Sequence, residues 1–187
     1  MVYYTIMSVL EECPHLSYYN LPEELVLVLN KQINMEMQAF YFYLNAGRYF
    51  QRKDVALHNV AKYFLDQANE EKGHSDMFQE YLILRGGDLR LLDIPAPSNE
   101  ALDTIDSLLN SMKQALKYEK TINNHLLDIH RLADTHNDPH LTNFVEEHFL
   151  NEQMDSIKEI EDYITNIKRV GEGLGEYLFD KNMLDTK

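Results

Sequence analysis

The feature that most constrains this chain is the scarcity of residues that break helices. Only five prolines and seven glycines occur among its 187 residues. Neither type occurs between Pro97 and Pro139, nor between Pro139 and Gly171. Sheet proteins usually carry turn residues every 8–12 positions, so such long uninterrupted stretches predict long helices instead.

Start and stop signals divide the chain into five predicted helices. Asp54 is expected to cap the second helix, and Gly86 with Gly87 stops it. Asp138 is expected to cap the fourth helix, with Pro139 in its first turn. The predicted helices span residues 22–50, 54–84, 99–133, 139–170 and 174–184.

The lengths of these helices predict their arrangement. Helices of about 30 residues are about 45 Å long at 1.5 Å per residue. Two helical hairpins joined by a long connection through residues 88–97 form a four-helix bundle with one long crossover between helices 2 and 3. The predicted fold is therefore all-α, with a short fifth helix after the bundle, and the chain length suits a single domain.

Composition excludes several classes of function. Thirty-one acidic residues against 17 Lys and Arg give a formal charge of −14, which opposes nucleic-acid binding and attracts cations. No apolar run is long enough for a membrane span. The opening MVYYTIMSVLEE lacks a basic n-region, so no signal peptide is expected. Cys13, the only cysteine, is compatible with a reducing cytosol.

The inward-facing stripes of the four long helices are interrupted by polar residues. A simple core would keep Leu or Ile at these positions. An ionised carboxylate there costs several kcal/mol unless it is paired or bound to a metal. The interrupting residues are Gln32 and Glu36 in the first helix, Gln67, Glu71 and His74 in the second, Glu119 in the third and Gln153 in the fourth.

The pattern as a whole favours a metal site over solvated surface residues. A single Glu-x-x-His motif is usually two exposed side chains. A single Glu on the predicted inward face can mean that this face was assigned one position away from the true one. Three carboxylates that converge without a basic partner would repel one another, and a divalent or trivalent cation removes that repulsion. Glu71 and His74, three residues apart, share one helix face. Mixed carboxylate and imidazole ligands suit iron or manganese.

At the level of whole segments, the chain resembles ferritin subunits of the animal heavy-chain, catalytic type. The similarity extends from about Tyr18 to Leu184. On this resemblance, residues 1–187 form a single ferritin-like domain in which residues 1–17 are a divergent extension. The similar segments are NKQINMEMQAFYFYL, DVALHNVAKYF, EEKGH, RGGDL, NDPHLTNFVEEHFLNEQ and EYLFDK.

The resemblance implies a di-iron ferroxidase centre. Glu36, Glu71 and His74 match the ligands of a tighter iron. Glu71 would bridge to a second, weaker iron held by Glu119, with Glu70 nearby. The residues that match the family's hydrogen-bonding Gln beside the weaker iron and its Tyr near the centre are Gln153 and Tyr43.

The implied function is oxidation and storage of iron. Two Fe²⁺ per subunit bind as transient substrate, O₂ oxidises them, and Fe³⁺ is stored as mineral inside a cage of 24 subunits. The cage is either a homo-oligomer or a mixture with another ferritin subunit. The expected location is the cytoplasm, with no nucleic-acid or membrane partner.

The resemblance also assigns residues outside the centre. His130, Asn143 and Glu146 match positions that line a three-fold pore, although the family usually has an acid where Asn143 stands. Glu70 and Asp76 are candidates for seeding mineral. The family usually has Glu at the position of Gly73, so this chain lacks one acid on that surface.

Three alternatives belong to other classes. A non-catalytic, light-chain-like storage subunit would lack ligands that this chain retains. A di-iron oxidase with a permanent cofactor usually carries a second Glu-x-x-His, whereas the fourth helix here has Gln153. A bundle-shaped signalling protein would have no use for buried carboxylates.

Overall fold

A computed structural model describes residues 21–95 and 105–182 of the chain. No strand occurs in these two ranges, and the predicted all-α fold with four long helices and a short fifth one is confirmed. Residues 1–17 with Cys13, and the predicted helix positions 99–104, 183 and 184, lie outside the described ranges. The helices are α1 (Glu23–Phe50), α2 (His58–Leu84), α3 (Leu108–Thr135), α4 and the short α5 (Leu174–Asn182). Helix α4 has three consecutive parts, which are α-helical Pro139–Val145, π-helical Glu146–Leu150 and α-helical Asn151–Val170.

The four long helices pack as two pairs around a shared core. Helix α1 lies along α2, α3 lies along α4, and α1 also contacts α3. Stacked aromatic rings join the helices, among them Phe42 with Tyr118 at 4.9 Å between ring centres. A Cβ on Gly47 would lie 2.7 Å from the Leu65 side chain. Glycine at this position therefore permits the close approach of α1 to α2.

The described part of the connection between α2 and α3 runs along α1. The Asn30 amide donates to the carbonyl of Asp88 at 2.9 Å and accepts from the Arg90 N–H at 2.6 Å. Asn34, one turn further along α1, donates to the carbonyl of Asp93 at 3.1 Å. Two asparagine side chains thus bind backbone groups of the crossover and hold it against α1.

The start of α2 differs from the prediction. Asp54 does not cap this helix; it pairs with Arg52 at 2.5 Å, and the helix begins at His58. The first N–H groups of α2 are instead capped by Asp180 of α5, whose Oδ1 accepts from Asn59 at 2.8 Å and from Val60 at 3.0 Å. The cap comes from a residue distant in sequence, which local signals do not reveal.

The predicted start of α3 is wrong, whereas the predicted boundaries of α4 are confirmed. Helix α3 begins at Leu108, with the Ser107 side chain as its cap, and residues 105–107 before it form a turn rather than helix. The predicted cap of α4 is confirmed, because Asp138 accepts from the Leu141 N–H at 3.0 Å. The predicted end of α4 at Val170 is also confirmed.

A π-helical turn inside α4 was not predicted. Leu141, Val145, Phe149 and Gln153 are all buried and are spaced four residues apart. This spacing exceeds the 3.6 residues of an α-helical turn, so a uniform helix would rotate these side chains progressively away from the core. The wider π turn at Glu146–Leu150 compensates for that drift. It keeps Gln153 on the buried face.

Candidate metal centre

Three carboxylates from three helices meet inside the bundle. Glu36 of α1 is 0% exposed, Glu71 of α2 is 4% exposed and Glu119 of α3 is 2% exposed. One ligand atom from each of Glu36, Glu71 and His74 lies within 4.8 Å of the other two. The structure therefore brings these three sequence-predicted residues close enough to hold one metal ion.

Two carboxylate oxygens in this group have no hydrogen-bond partner. They are Glu36 Oε2 and Glu71 Oε2, and the only other such buried side-chain atom in the described residues is the Tyr63 hydroxyl. Buried acceptors without a donor are costly and rare in folded proteins. A cation would satisfy both oxygens, so the residues fit a bound metal.

Electrostatics at the centre also favour a positive ligand. Burial, followed by the negative charge of Glu71, raises the pKa of Glu36 well above its usual value. Burial and the charge of Glu119 raise the pKa of Glu71 in the same way. Without a cation, the folded protein therefore holds protons on carboxyl groups that are ionised in the unfolded chain.

Glu119 has a different environment from the other two acids. The Tyr43 hydroxyl donates to its Oε1, and the Gln153 amide donates to its Oε2 at 2.5 Å and to its backbone carbonyl at 3.1 Å. Burial still raises the pKa of Glu119, although both hydrogen bonds oppose the rise. The centre is thus asymmetric, with free oxygens on one side and hydrogen-bonded oxygens on the other.

A second group of polar side chains borders the centre. His74 Nε2 lies 3.1 Å from Glu152 Oε1. Burial by itself would lower the pKa of His74, but the bond to Glu152 and the charge of Glu36 raise it. Glu70 is partly exposed and accepts from Gln67. Partial burial and a hydrogen bond shared with Glu152 raise the pKa of Glu70 to about 7.

The residues assigned to a pore lie on the surface of the chain. His130 Nε2 is 2.6 Å from Glu146 Oε1. Asn143 is exposed and donates to Glu147 at 3.2 Å. A pore requires several subunits, so these assignments remain predictions.

Asp76, one of the two residues assigned to mineral seeding, is also exposed. It forms a salt bridge with Lys72 at 2.6 Å. Part of its charge is therefore already balanced within the chain, and the seeding roles of Glu70 and Asp76 remain predictions.

Sequence reasoning missed two polar residues near the centre. Glu152 contacts His74, and no sequence signal marked it, because it lies one position off the stripe that contains Gln153. His125 contacts Gln32 at 2.6 Å inside the bundle. His125 lies next to the predicted inward-facing positions of the third helix rather than among them. A search in alternating steps of three and four residues therefore omits it.

Comparison with known families agrees with this geometry. A family model for ferritin, described as a ferritin-like domain, matches residues 26–170. The match includes all the residues of the centre and most of the four-helix bundle. Within the described residues, no helix is both long and apolar enough to cross a membrane. The chain belongs to the ferritin-like family.

Proposed function

We propose that this protein is a catalytic ferritin subunit of the heavy-chain type. It oxidises Fe²⁺ with O₂ at an intrasubunit centre and stores the Fe³⁺ as mineral within a cytoplasmic cage of 24 subunits. The observation that carries the proposal is the group of Glu36, Glu71 and His74, with two buried carboxylate oxygens that lack hydrogen bonds. Iron is the substrate of this reaction rather than a resident cofactor.

The proposed ligands suit oxidation of iron. Anionic oxygen ligands stabilise Fe³⁺ more than Fe²⁺ because the interaction grows with the charge of the ion. Two Fe²⁺ supply two electrons, and one O₂ with two protons accepts them to give hydrogen peroxide. Glu36, Glu71 and His74 bind the first iron, while Glu71 and Glu119 bind the second.

The asymmetry of the centre supports release of the product. Both oxygens of Glu119 already accept hydrogen bonds from Tyr43 and Gln153, so binding iron there competes with these bonds. The fourth helix supplies an amide rather than a second imidazole at this position. A weakly held second iron leaves after oxidation, as storage requires.

The proposal is tested by anaerobic binding of two Fe²⁺ per subunit, followed by mixing with O₂. We expect Glu36→Ala and His74→Ala to slow the appearance of Fe³⁺ by at least about tenfold, since each removes a ligand. Asp66→Ala is the matched control, because it removes an exposed acid from the same helix as Glu71. Oxidation at the wild-type rate in both ligand variants would refute the ferroxidase centre.

The cage is tested separately by light scattering. We expect a particle of twenty-four times the 22.0 kDa subunit mass. A monomer or dimer under native conditions would contradict the cage while leaving the centre to be tested on its own.

A further inference from the structure

His125 is a buried histidine that is not a ligand in the proposed centre. It lies on α3, is 7% exposed, and places its Nδ1 2.6 Å from Oε1 of Gln32 on α1. Gln32 is fully buried, and its Nε2 lies 2.5 Å from Oε1 of Glu36. A chain of two hydrogen bonds therefore links α3 to one of the metal-binding carboxylates.

The direction of both hydrogen bonds follows from chemistry. The Gln32 amide nitrogen faces Oε1 of Glu36, and this orientation is required once a cation is bound, because the ionised carboxylate can then only accept. The Gln32 carbonyl oxygen then faces His125, and the imidazole must donate from Nδ1. Burial, together with the nearby charge of Lys31, lowers the pKa of His125 to about 4. A neutral imidazole carries a single N–H, and the contact with Gln32 locates that hydrogen on Nδ1.

We propose that His125 is a positioning residue that orients Glu36 for metal binding through the amide of Gln32. The inference rests on the function proposed above and extends it to a residue outside the ligand set. The Nδ1–H bond prevents the amide from turning its oxygen toward the carboxylate. Oε1 of Glu36 is thereby held by Gln32, while Oε2, which has no hydrogen bond, stays free for the ion.

The expected effect is on metal affinity more than on folding. Partners that orient metal ligands typically contribute 10–100-fold to affinity. Without the donor at His125, a buried amide oxygen lacks a partner and the amide is free to reorient. We therefore expect the first metal ion to bind about tenfold more weakly when this donor is removed.

The test uses Co²⁺ as a redox-inert probe, titrated by calorimetry into the assembled apoprotein. His125→Phe removes the donor, whereas His125→Asn keeps an N–H close to the position of Nδ1. We expect a loss of about tenfold for the Phe variant and recovery to near wild-type affinity for the Asn variant. The visible absorption spectrum of bound Co²⁺ should change in the Phe variant only. Melting temperatures of the apoproteins report any general loss of folding.

A double-mutant cycle separates positioning from general packing. Gln32→Met removes the intermediate amide at similar volume, so His125→Phe should cause no further loss of affinity in that background. Equal affinity of the wild type and His125→Phe would overturn the inference, as would failure of His125→Asn to recover affinity or an additive loss in the cycle. If the wild type binds no Co²⁺, the proposed metal centre itself fails, which is a distinct result.

Discussion

Two groups of buried acids in the same bundle behave in opposite ways. At the end of the bundle, Asp138 accepts from Arg85 at 2.7 and 3.2 Å and from the Leu141 N–H at 3.0 Å. Burial alone would raise the pKa of Asp138, but these hydrogen bonds hold it below its usual value. In the middle of the bundle, Glu36 and Glu71 have no basic partner from Lys or Arg among the described residues, and their pKa values are raised.

The hydrogen-bond partners of a buried carboxylate indicate whether it stabilises the fold or is available to bind a ligand. Asp138 stabilises the fold, since its charge is balanced by Arg85 and its position caps α4. Glu36 and Glu71 destabilise the apoprotein, since each keeps an oxygen without a hydrogen bond. Burial alone does not separate the two cases, whereas the partners of each oxygen do.

The largest expected effect on stability is that of Asp138→Ala. The change removes a helix cap and leaves the partly buried Arg85 without its carboxylate, so we expect a loss of about 3 kcal/mol in the free energy of unfolding. Urea denaturation of the apoprotein measures it. Asp66→Ala, which breaks an exposed pair with Lys62, should change stability by less than about 1 kcal/mol. A similar small loss for both variants would remove the contrast between the two groups.

Glu71→Gln should have the opposite effect on stability. The amide has a similar volume and does not titrate, so the variant avoids the cost of protonating a buried carboxyl on folding at neutral pH, and we expect the apoprotein to become more stable by about 1 kcal/mol. The same variant should lose at least about tenfold in Co²⁺ affinity, because the amide is a poorer ligand. Thermal unfolding and calorimetry measure the two quantities. Destabilisation together with unchanged affinity would mean that Glu71 is a structural residue like Asp138.

The pH dependence of stability should distinguish the two groups as well. The raised pKa values of Glu36 and Glu71 mean that the folded apoprotein binds more protons than the unfolded chain above pH 4.5, the usual value. Their contribution to stability therefore falls as the pH rises through the raised pKa values. The lowered pKa of Asp138 gives a contribution that is present above pH 3.8 and is lost below it.

Urea denaturation between pH 5 and pH 8 tests this difference. The wild-type apoprotein should lose stability toward pH 8 relative to Glu71→Gln, and Co²⁺ affinity should rise over the same range because binding displaces protons. Identical pH profiles for the two proteins would contradict the raised pKa of Glu71.

The smallest expected effect is that of Gly73→Ala. This glycine lies between Glu71 and His74 within α2, and a Cβ there would meet nothing within 4 Å. Alanine should stabilise the helix by about 0.5–1 kcal/mol without altering Co²⁺ affinity. Thermal unfolding detects the gain. A weaker affinity would show that the helix must flex at this point to bind metal.

Most of the fold was predictable because the start, end and buried face of a helix depend on residues that are close in sequence. The scarcity of Pro and Gly, together with the start and stop signals, predicted the number of helices, and the cap at Asp138 predicted the start of α4 correctly. The polar interruptions of the stripes pointed to Glu36, Glu71 and His74, which the structure places together. Each of these signals depends on residues within a few helical turns.

The remaining features depend on tertiary contacts or on local geometry that differs from the α-helix. The cap of α2 comes from Asp180, and the partner of Gln32 is His125, far along the chain in both cases. The π turn in α4 changes the helical period itself, and a search at fixed period does not register it. Glu152 precedes Gln153 in sequence, but only the packing of α4 against α2 brings it to His74.

The contact between Asp180 and α2 also has a consequence for timing during synthesis. The carboxylate that caps Asn59 is 121 positions later in the chain. At about 10 residues per second, a ribosome needs about 12 seconds to make that interval. Until Asp180 has been made, the N–H groups of Asn59 and Val60 lack their cap. A hairpin of α1 and α2 that forms early would therefore lack this cap, and the start of α2 would be complete only after α5 has emerged and docked.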